Sequence, residues 1–128
     1  MVVDASALVA VVLLEEETGE LLVKLAQAPT VKVSAVTLVE ASVVLLARGG
    51  QIQVDVLDAL IARVRARIVP VDESQSLIAR AAFDRYGKGR HEAGLNFGDC
   101  FTYALAKHYG EPVLFKGNDF SKTDLIRA

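Results

Sequence analysis

The sequence predicts an α/β layered domain with a mostly parallel sheet. Three observations carry that expectation. Short apolar runs of strand length recur along the chain: Met1-Val2-Val3, Val31-Lys32-Val33, Ile68-Val69-Pro70-Val71 and Val113-Leu114-Phe115. Helical runs lie between them, supplying the long crossovers that parallel pairing requires. Acidic residues also fall directly after strands, or early in the helices beside them, which is the edge where open parallel sheets hold ligands.

The first strand, Met1 to Val3, ends at Asp4, and Asp4 or Ser6 can cap the helix that runs from Ala5 to Leu14. Glu15-Glu16-Glu17-Thr18-Gly19 breaks this run. A second helix extends from Glu20 to about Ala28, where Pro29 stops it. Val31-Lys32-Val33 is the second strand, bounded by Ser34. A third helix starts at Ser34 or Thr37 and ends at Gly49-Gly50. Val54 to Arg67 is amphipathic, with Leu57, Leu60, Ile61 and Val64 on one stripe. In the third strand Pro70 cannot donate to a ladder, so that strand belongs at a sheet edge.

Asp72 or Ser74 opens the next helix, which carries Leu77, Ile78, Ala81, Ala82 and Phe83 and ends near Tyr86. Gly87 to Gly94 is a glycine-rich basic loop. It leads into Leu95-Asn96-Phe97-Gly98-Asp99-Cys100, where a polar turn runs straight into an apolar helix that begins at Asp99. Gly110 and Pro112 end that helix. Val113-Leu114-Phe115 follows, then Lys116-Gly117-Asn118-Asp119, and the remaining residues form a turn or a short final strand.

The 128 residues suit one domain. Hydrophobic residues make up 52% of the chain, which excludes a disordered one. One cysteine, Cys100, excludes a disulfide framework, and with only two histidines a closed zinc site is a poor fit. The longest apolar run, Leu8 to Leu14, falls far short of the ~20 residues a spanning helix needs. No basic leader precedes the first strand. The expectation is a cytoplasmic protein with no membrane association. A net charge of −2 gives no general pull toward nucleic acid, so any such contact must be local. Helices this apolar also call for covering, which points to a partner chain.

Four carboxylates should meet. A helix runs antiparallel to the strand that follows it, so Asp99 at its start lies beside Asp119 at that strand's end. Asp4 follows the first strand, and Glu40 lies early in the helix after the second. Two like charges ~4 Å apart cost about 4 kcal/mol at an effective dielectric of about 20, so a cation is needed to offset the cluster. Carboxylate oxygens without histidine or cysteine suit Mg²⁺ or Mn²⁺, the ions of phosphoryl-transfer chemistry, where a metal-activated water attacks a phosphate.

Each acid also has an ordinary reading: Asp4 and Asp99 as helix caps, Asp119 as a turn residue, and Thr37-Leu38-Val39-Glu40 as a capping box. Their joint placement favours the cluster. Ser6 and Asn96 would support it. Gly98 before Asp99 suggests a close backbone approach. Lys88, Arg90 and His91 are candidates for holding a nucleic-acid backbone. Gly87-Lys88-Gly89-Arg90 does not fit a phosphate-binding P-loop. Cys100 has no histidine placed to activate it and reads as a small core residue.

At these residues the sequence resembles the PIN-domain ribonucleases, and within them the VapC toxins. Asp4-Ala5-Ser6-Ala7-Leu8, Ser34 to Glu40, Leu95 to Cys100 and Leu114 to Phe120 resemble that family's successive blocks, in order and over nearly the whole chain. Ala5 departs from the Thr or Ser of many members and leaves Ser6 in place. The resemblance implies a three-layer α/β/α PIN-like domain over residues 1–128, with a sheet of about five strands. It implies a Mg²⁺- or Mn²⁺-dependent endoribonuclease, with Asp4, Glu40, Asp99 and Asp119 as the catalytic, metal-holding acids and Asp119 the most variable in role. It also implies an RNA substrate, a homodimer and a VapB-type antitoxin, with Leu8 to Leu14 and Val36 to Leu46 as docking surfaces. Two other classes remain: a catalytically inactive PIN-like interaction module, and a receiver-like signalling domain in which Lys116 would serve. Asp4 stands alone after the first strand, which disfavours the latter.

Overall fold

The computed structural model describes residues 1–128. Its sheet has four short strands, β1 (Val2–Val3), β2 (Lys32–Ser34), β3 (Arg67–Val69) and β4 (Val113–Leu114), in the order β3-β2-β1-β4. All neighbours are parallel, with Val2 opposite both Lys32 and Val113, and Val33 opposite Ile68. The crossovers are helices α1 (Ala5–Val12), α2 (Thr18–Gln27), α3 (Ala35–Gly49), α4 (Gln51–Arg63), α5 (Glu73–Tyr86) and α6 (Phe97–Tyr109). A short 3-10 turn, Asp119–Lys122, follows β4.

Successive strand residues point to opposite faces of a sheet, and the two cores divide accordingly. Val3, Val33 and Leu114 pack with α1 to α4, whereas Val2, Val69, Val113 and Phe115 pack with α5 and α6. The sheet is therefore covered on both faces, the expected three-layer arrangement. β1 and β4 are wholly apolar for that reason, whereas β2 carries Lys32 and Ser34 and β3 begins at Arg67.

β3 lies at the edge, as expected, but it ends at Val69 and leaves Pro70 outside the ladder, where its carbonyl accepts a bond from Gln75 Nε2 at 3.1 Å. The expected strand count is corrected from about five to four. The terminal segment reaches β4 only through a single parallel bridge, Val113 to Arg127. Further shifts occur at helix starts. α4 begins at Gln51, directly after Gly50 in a positive-φ conformation, rather than at Val54. α6 begins at Phe97, so Asp99 sits in its first turn and Asn96 is the cap.

The sheet's C-terminal edge collects helix starts. Asp4 caps α1, Ser34 caps α3 and Asn96 caps α6. Three positive helix ends thus face one region, a favourable setting for negative charge.

Candidate active site

All four predicted acids line one cleft of about 430 Å³ at that edge, together with Ser6, Asn96, Glu15, Arg48 and Lys116. Asp4 arrives there because β1 ends at Val3, and its extended backbone lets the side chain turn back on α1. Asp4 Oδ2 accepts from Ser6 N–H at 3.0 Å and from Ser6 Oγ at 2.7 Å. Its other oxygen accepts from Thr102 Oγ1 at 2.7 Å.

Asp99 is held by a reciprocal cap. The Asn96 amide donates to Asp99 Oδ2, and the Asp99 amide donates to Asn96 Oδ1, both at 2.9 Å. Glu40 comes from α3 and packs against the α6 backbone: a Cβ on Gly98 would lie 1.5 Å from Glu40 Oε2. The close approach expected at Gly98 is therefore made by a second acid. The capping-box reading of Thr37-Leu38-Val39-Glu40 is corrected, because Ser34 caps α3 through Val36 N–H at 3.3 Å. Asp119 is exposed at the start of the 3-10 turn. Every hydrogen bond to the four carboxylates falls on Asp4 or Asp99, so one pair is pinned and the other is unbonded.

The field confirms that the four share a neighbourhood. Burial raises the Asp99 carboxyl to about 7; the Asn96 hydrogen bond opposes this, and the charges of Asp4, Asp119 and Glu40 add to it. Burial and then the charge of Asp4 raise Glu40. As the side chains stand, no three of the chain's His, Cys, Asp and Glu residues form a group tight enough to hold a metal ion. Gripping one calls for rotation of the unbonded pair, Glu40 and Asp119.

The basic loop contributes nothing to the cleft wall. Arg90 is tied to Asp84 at 2.6 Å. His91 Nδ1 accepts from Ala93 N–H at 3.0 Å, and its ring packs edge-on against Tyr86. Lys88 is exposed. Cys100 is buried, its thiol pushed up to about 11 first by burial and then by the Asp99 charge, which fits the core role.

Residues that the sequence assigns to other roles, or to none, also shape the site. Lys116 pairs with Glu15 and, at 3.4 Å, with Glu17; Arg48 lies 3.9 Å from Glu15. Thr37 and Thr102 are completely buried and bonded to each other at 3.1 Å. Thr37 reads from sequence as a helix cap, and the signal that links the pair to the site is spacing, since Thr37 lies three residues before Glu40 and Thr102 three after Asp99. A larger groove, about 1070 Å³, is lined by Lys32, Arg63, Arg65 and Arg67 over an apolar floor. It holds no acid and none of the predicted residues.

The PIN domain family model matches residues 1–125. The chain is similar to a protein named Ribonuclease VapC from Mycolicibacterium smegmatis, 47% identical over 98% of this chain and 97% of that one. Among solved structures it resembles Mycobacterium tuberculosis VapC20, described as a sarcin-ricin loop cleaving toxin. That match has a TM-score of 0.82 at 21% identity, covering 99% of this chain and 97% of the other. It also resembles a chain of a toxin–antitoxin complex from Klebsiella pneumoniae, with a TM-score of 0.73 at 16% identity, covering 99% and 95%. At these identities the structural matches speak to the fold.

Proposed function

Because the chain belongs to the PIN domain family, with a VapC ribonuclease among its relatives, we propose that it is a divalent-metal-dependent endoribonuclease, the toxin of a toxin–antitoxin pair. The observation that carries this reading is the cleft where four carboxylates converge, one of which, Asp99, is raised to about 7 first by burial and then by the charges of the other three. Negative charge gathered without a matching cation is costly for a fold, and a Mg²⁺ or Mn²⁺ ion is the ligand that offsets it. The donor set fits, being hard oxygens with no sulfur or imidazole among the acids.

Asp4 and Asp99 would hold the ion from fixed positions, with Glu40 and Asp119 closing on it. When bound, the ion supplies Lewis acidity toward a phosphodiester oxygen and toward the attacking water. The protein's own groups do the rest. Lys116 and Arg48 on the cleft wall are the cations nearest an RNA backbone there, and both are paired with Glu15, which a bound phosphate would have to displace. Lys88 is the member of the basic loop left open for such a contact; Arg90 and His91 are engaged locally.

The partner is a VapB-type antitoxin, and the protein pairs with a second copy of itself. α3 presents an exposed stripe of Val39, Val43 and Leu46 beside the cleft, where Val44 and Arg48 of the same helix line its wall. The expected docking run from Leu8 to Leu14 is corrected, because Leu8 to Val12 form the core and only Leu14 is fully exposed. No helix is long and apolar enough to cross a membrane.

The test is cleavage of RNA by the purified protein in Mn²⁺ and in EDTA, beside Asp99→Asn. Cleavage that needs Mn²⁺ and is lost in the variant supports the reading. Cleavage in EDTA overturns the metal dependence, and no cleavage in any divalent ion leaves a PIN-like interaction module.

A further inference from the structure

We propose that Thr102 and Thr37 are positioning residues that fix the orientation of Asp4 for the cation, an inference that rests on the nuclease reading above. The direction of the hydrogen-bond chain follows from proton counting. A threonine hydroxyl carries one proton. Thr102 gives its proton to Asp4 Oδ1 at 2.7 Å, an acceptor with none to offer in return. At the 3.1 Å contact between the two threonines, Thr37 must therefore donate and Thr102 accept. The chain runs one way, Thr37 to Thr102 to Asp4.

A carboxylate has about four acceptor positions. On Asp4, Ser6 fills two at Oδ2 through its amide and its hydroxyl, and Thr102 fills one at Oδ1. About one position is left for a ligand, so Asp4 can offer the cation a single direction. The hydroxyls achieve this without cancelling charge. A lysine or arginine in their place would pin the carboxylate equally well but neutralise what attracts the ion.

The relay also joins the elements that carry the other acids. Residues three apart on a helix share a face. Thr37 sits three before Glu40 on α3, and Thr102 three after Asp99 on α6. Through one contact between these helices and one to Asp4, the two buried hydroxyls couple three of the four acids beneath the cleft floor. No other polar side chain bridges α3 and α6 there.

The variants Thr102→Val, Thr102→Ser, Thr37→Val and the Thr37→Val/Thr102→Val pair test this, with Asp99→Asn as control. The readouts are Mn²⁺ dissociation constants from calorimetry, thermal stability in EDTA and single-turnover RNA cleavage. Loss of an outer partner of a metal ligand typically weakens metal binding about 10–100-fold, and that loss is expected for Thr102→Val. Thr102→Ser should restore wild-type affinity, and Thr37→Val should show a smaller loss. Because Thr37 acts only through Thr102, the double variant should bind Mn²⁺ no worse than Thr102→Val alone. Wild-type affinity in Thr102→Val, failure of serine to rescue, or additive losses in the double variant each overturn the relay. Should Thr102→Val not fold, Thr37→Val with Thr37→Ser decides by the same comparison. Retained cleavage in Asp99→Asn would sink the assignment of the acidic site instead, and a wild-type protein that cuts no RNA in any divalent ion would sink the nuclease reading, whatever the threonines do.

Discussion

Replacing Asp99 by asparagine should make the protein more stable and inactive at once. Asp99 is only 5% exposed, and its carboxyl lies at about 7 against 3.8 for the free group. The folded state therefore binds that proton more tightly than the unfolded state. The stability this confers is complete below pH 3.8, declines as pH rises toward 7 and is absent above it. At 1.36 kcal/mol per unit, the ionised carboxylate leaves the metal-free fold about 4 kcal/mol weaker at pH 8. Asparagine carries no charge to bury, and its oxygen can still accept the Asn96 amide that completes the cap.

Thermal unfolding in EDTA reads the difference. At pH 8 Asp99→Asn should melt roughly 10 °C above the wild type, and at pH 5 the gap should shrink to less than half. Adding Mn²⁺ to about 100 times its dissociation constant should raise the wild type by about 2.7 kcal/mol and leave the variant unmoved. Cleavage should follow the Mn²⁺ response. A variant no more stable than wild type in EDTA at pH 8 would refute the electrostatic argument. One that still gains stability from Mn²⁺ and still cuts RNA would refute the site.

Gly98→Ala forces the unbonded Glu40 carboxylate to swing away, because the new Cβ would sit 1.5 Å from it. Melting should change by no more than about 1 kcal/mol, since alanine favours the helix, while single-turnover cleavage collapses. Lys88→Glu should weaken RNA binding regardless of sequence and lower the salt slope by about one, measured by titration at several ionic strengths. Leu105→Ala, a fully buried deletion in α6, should cost about 3 kcal/mol in urea unfolding without moving the Mn²⁺ dissociation constant.

The fold was legible where local chemistry decides alone. Pro70 stands where β3 stops, Gly110 adopts the left-handed cap that ends α6, and Asp72 caps α5 through Gln75 N–H. The shared edge of the four acids followed from topology, because a parallel sheet leaves few places for residues after strands to go. What escaped reading depends on distant partners. Ser34 and Thr37 both look like helix caps, and only the contact with Thr102, 65 residues away, takes Thr37 out of that competition. Arg90, which looked free for RNA, is the exception whose partner is local: the turn after α5 brings it to the Asp84 carboxylate six residues earlier. The expected fifth strand is present only as one bridge, Val113 to Arg127.

The ordinary and the chemical readings of Asp4 and Asp99 prove to be one role. Each carboxylate is needed by a helix start, and the bonds that satisfy that start fix the carboxylate's direction at the cleft. Capping supplies rigidity without a cation, so the negative charge stays available to an ion. Glu40 and Asp119 make no such bonds and are left to adjust. A site with two fixed and two movable acids can wait in a metal-free fold and then close on an ion, with Glu40 held near Asp99 by the missing Cβ of Gly98. On this argument the order of defects is set by the architecture. Loss of Asp4 or Asp99 removes the anchor and should abolish Mn²⁺ binding, whereas Asp119→Asn should weaken it by a smaller factor in the same calorimetric titration. Equal losses at all four positions would contradict the division.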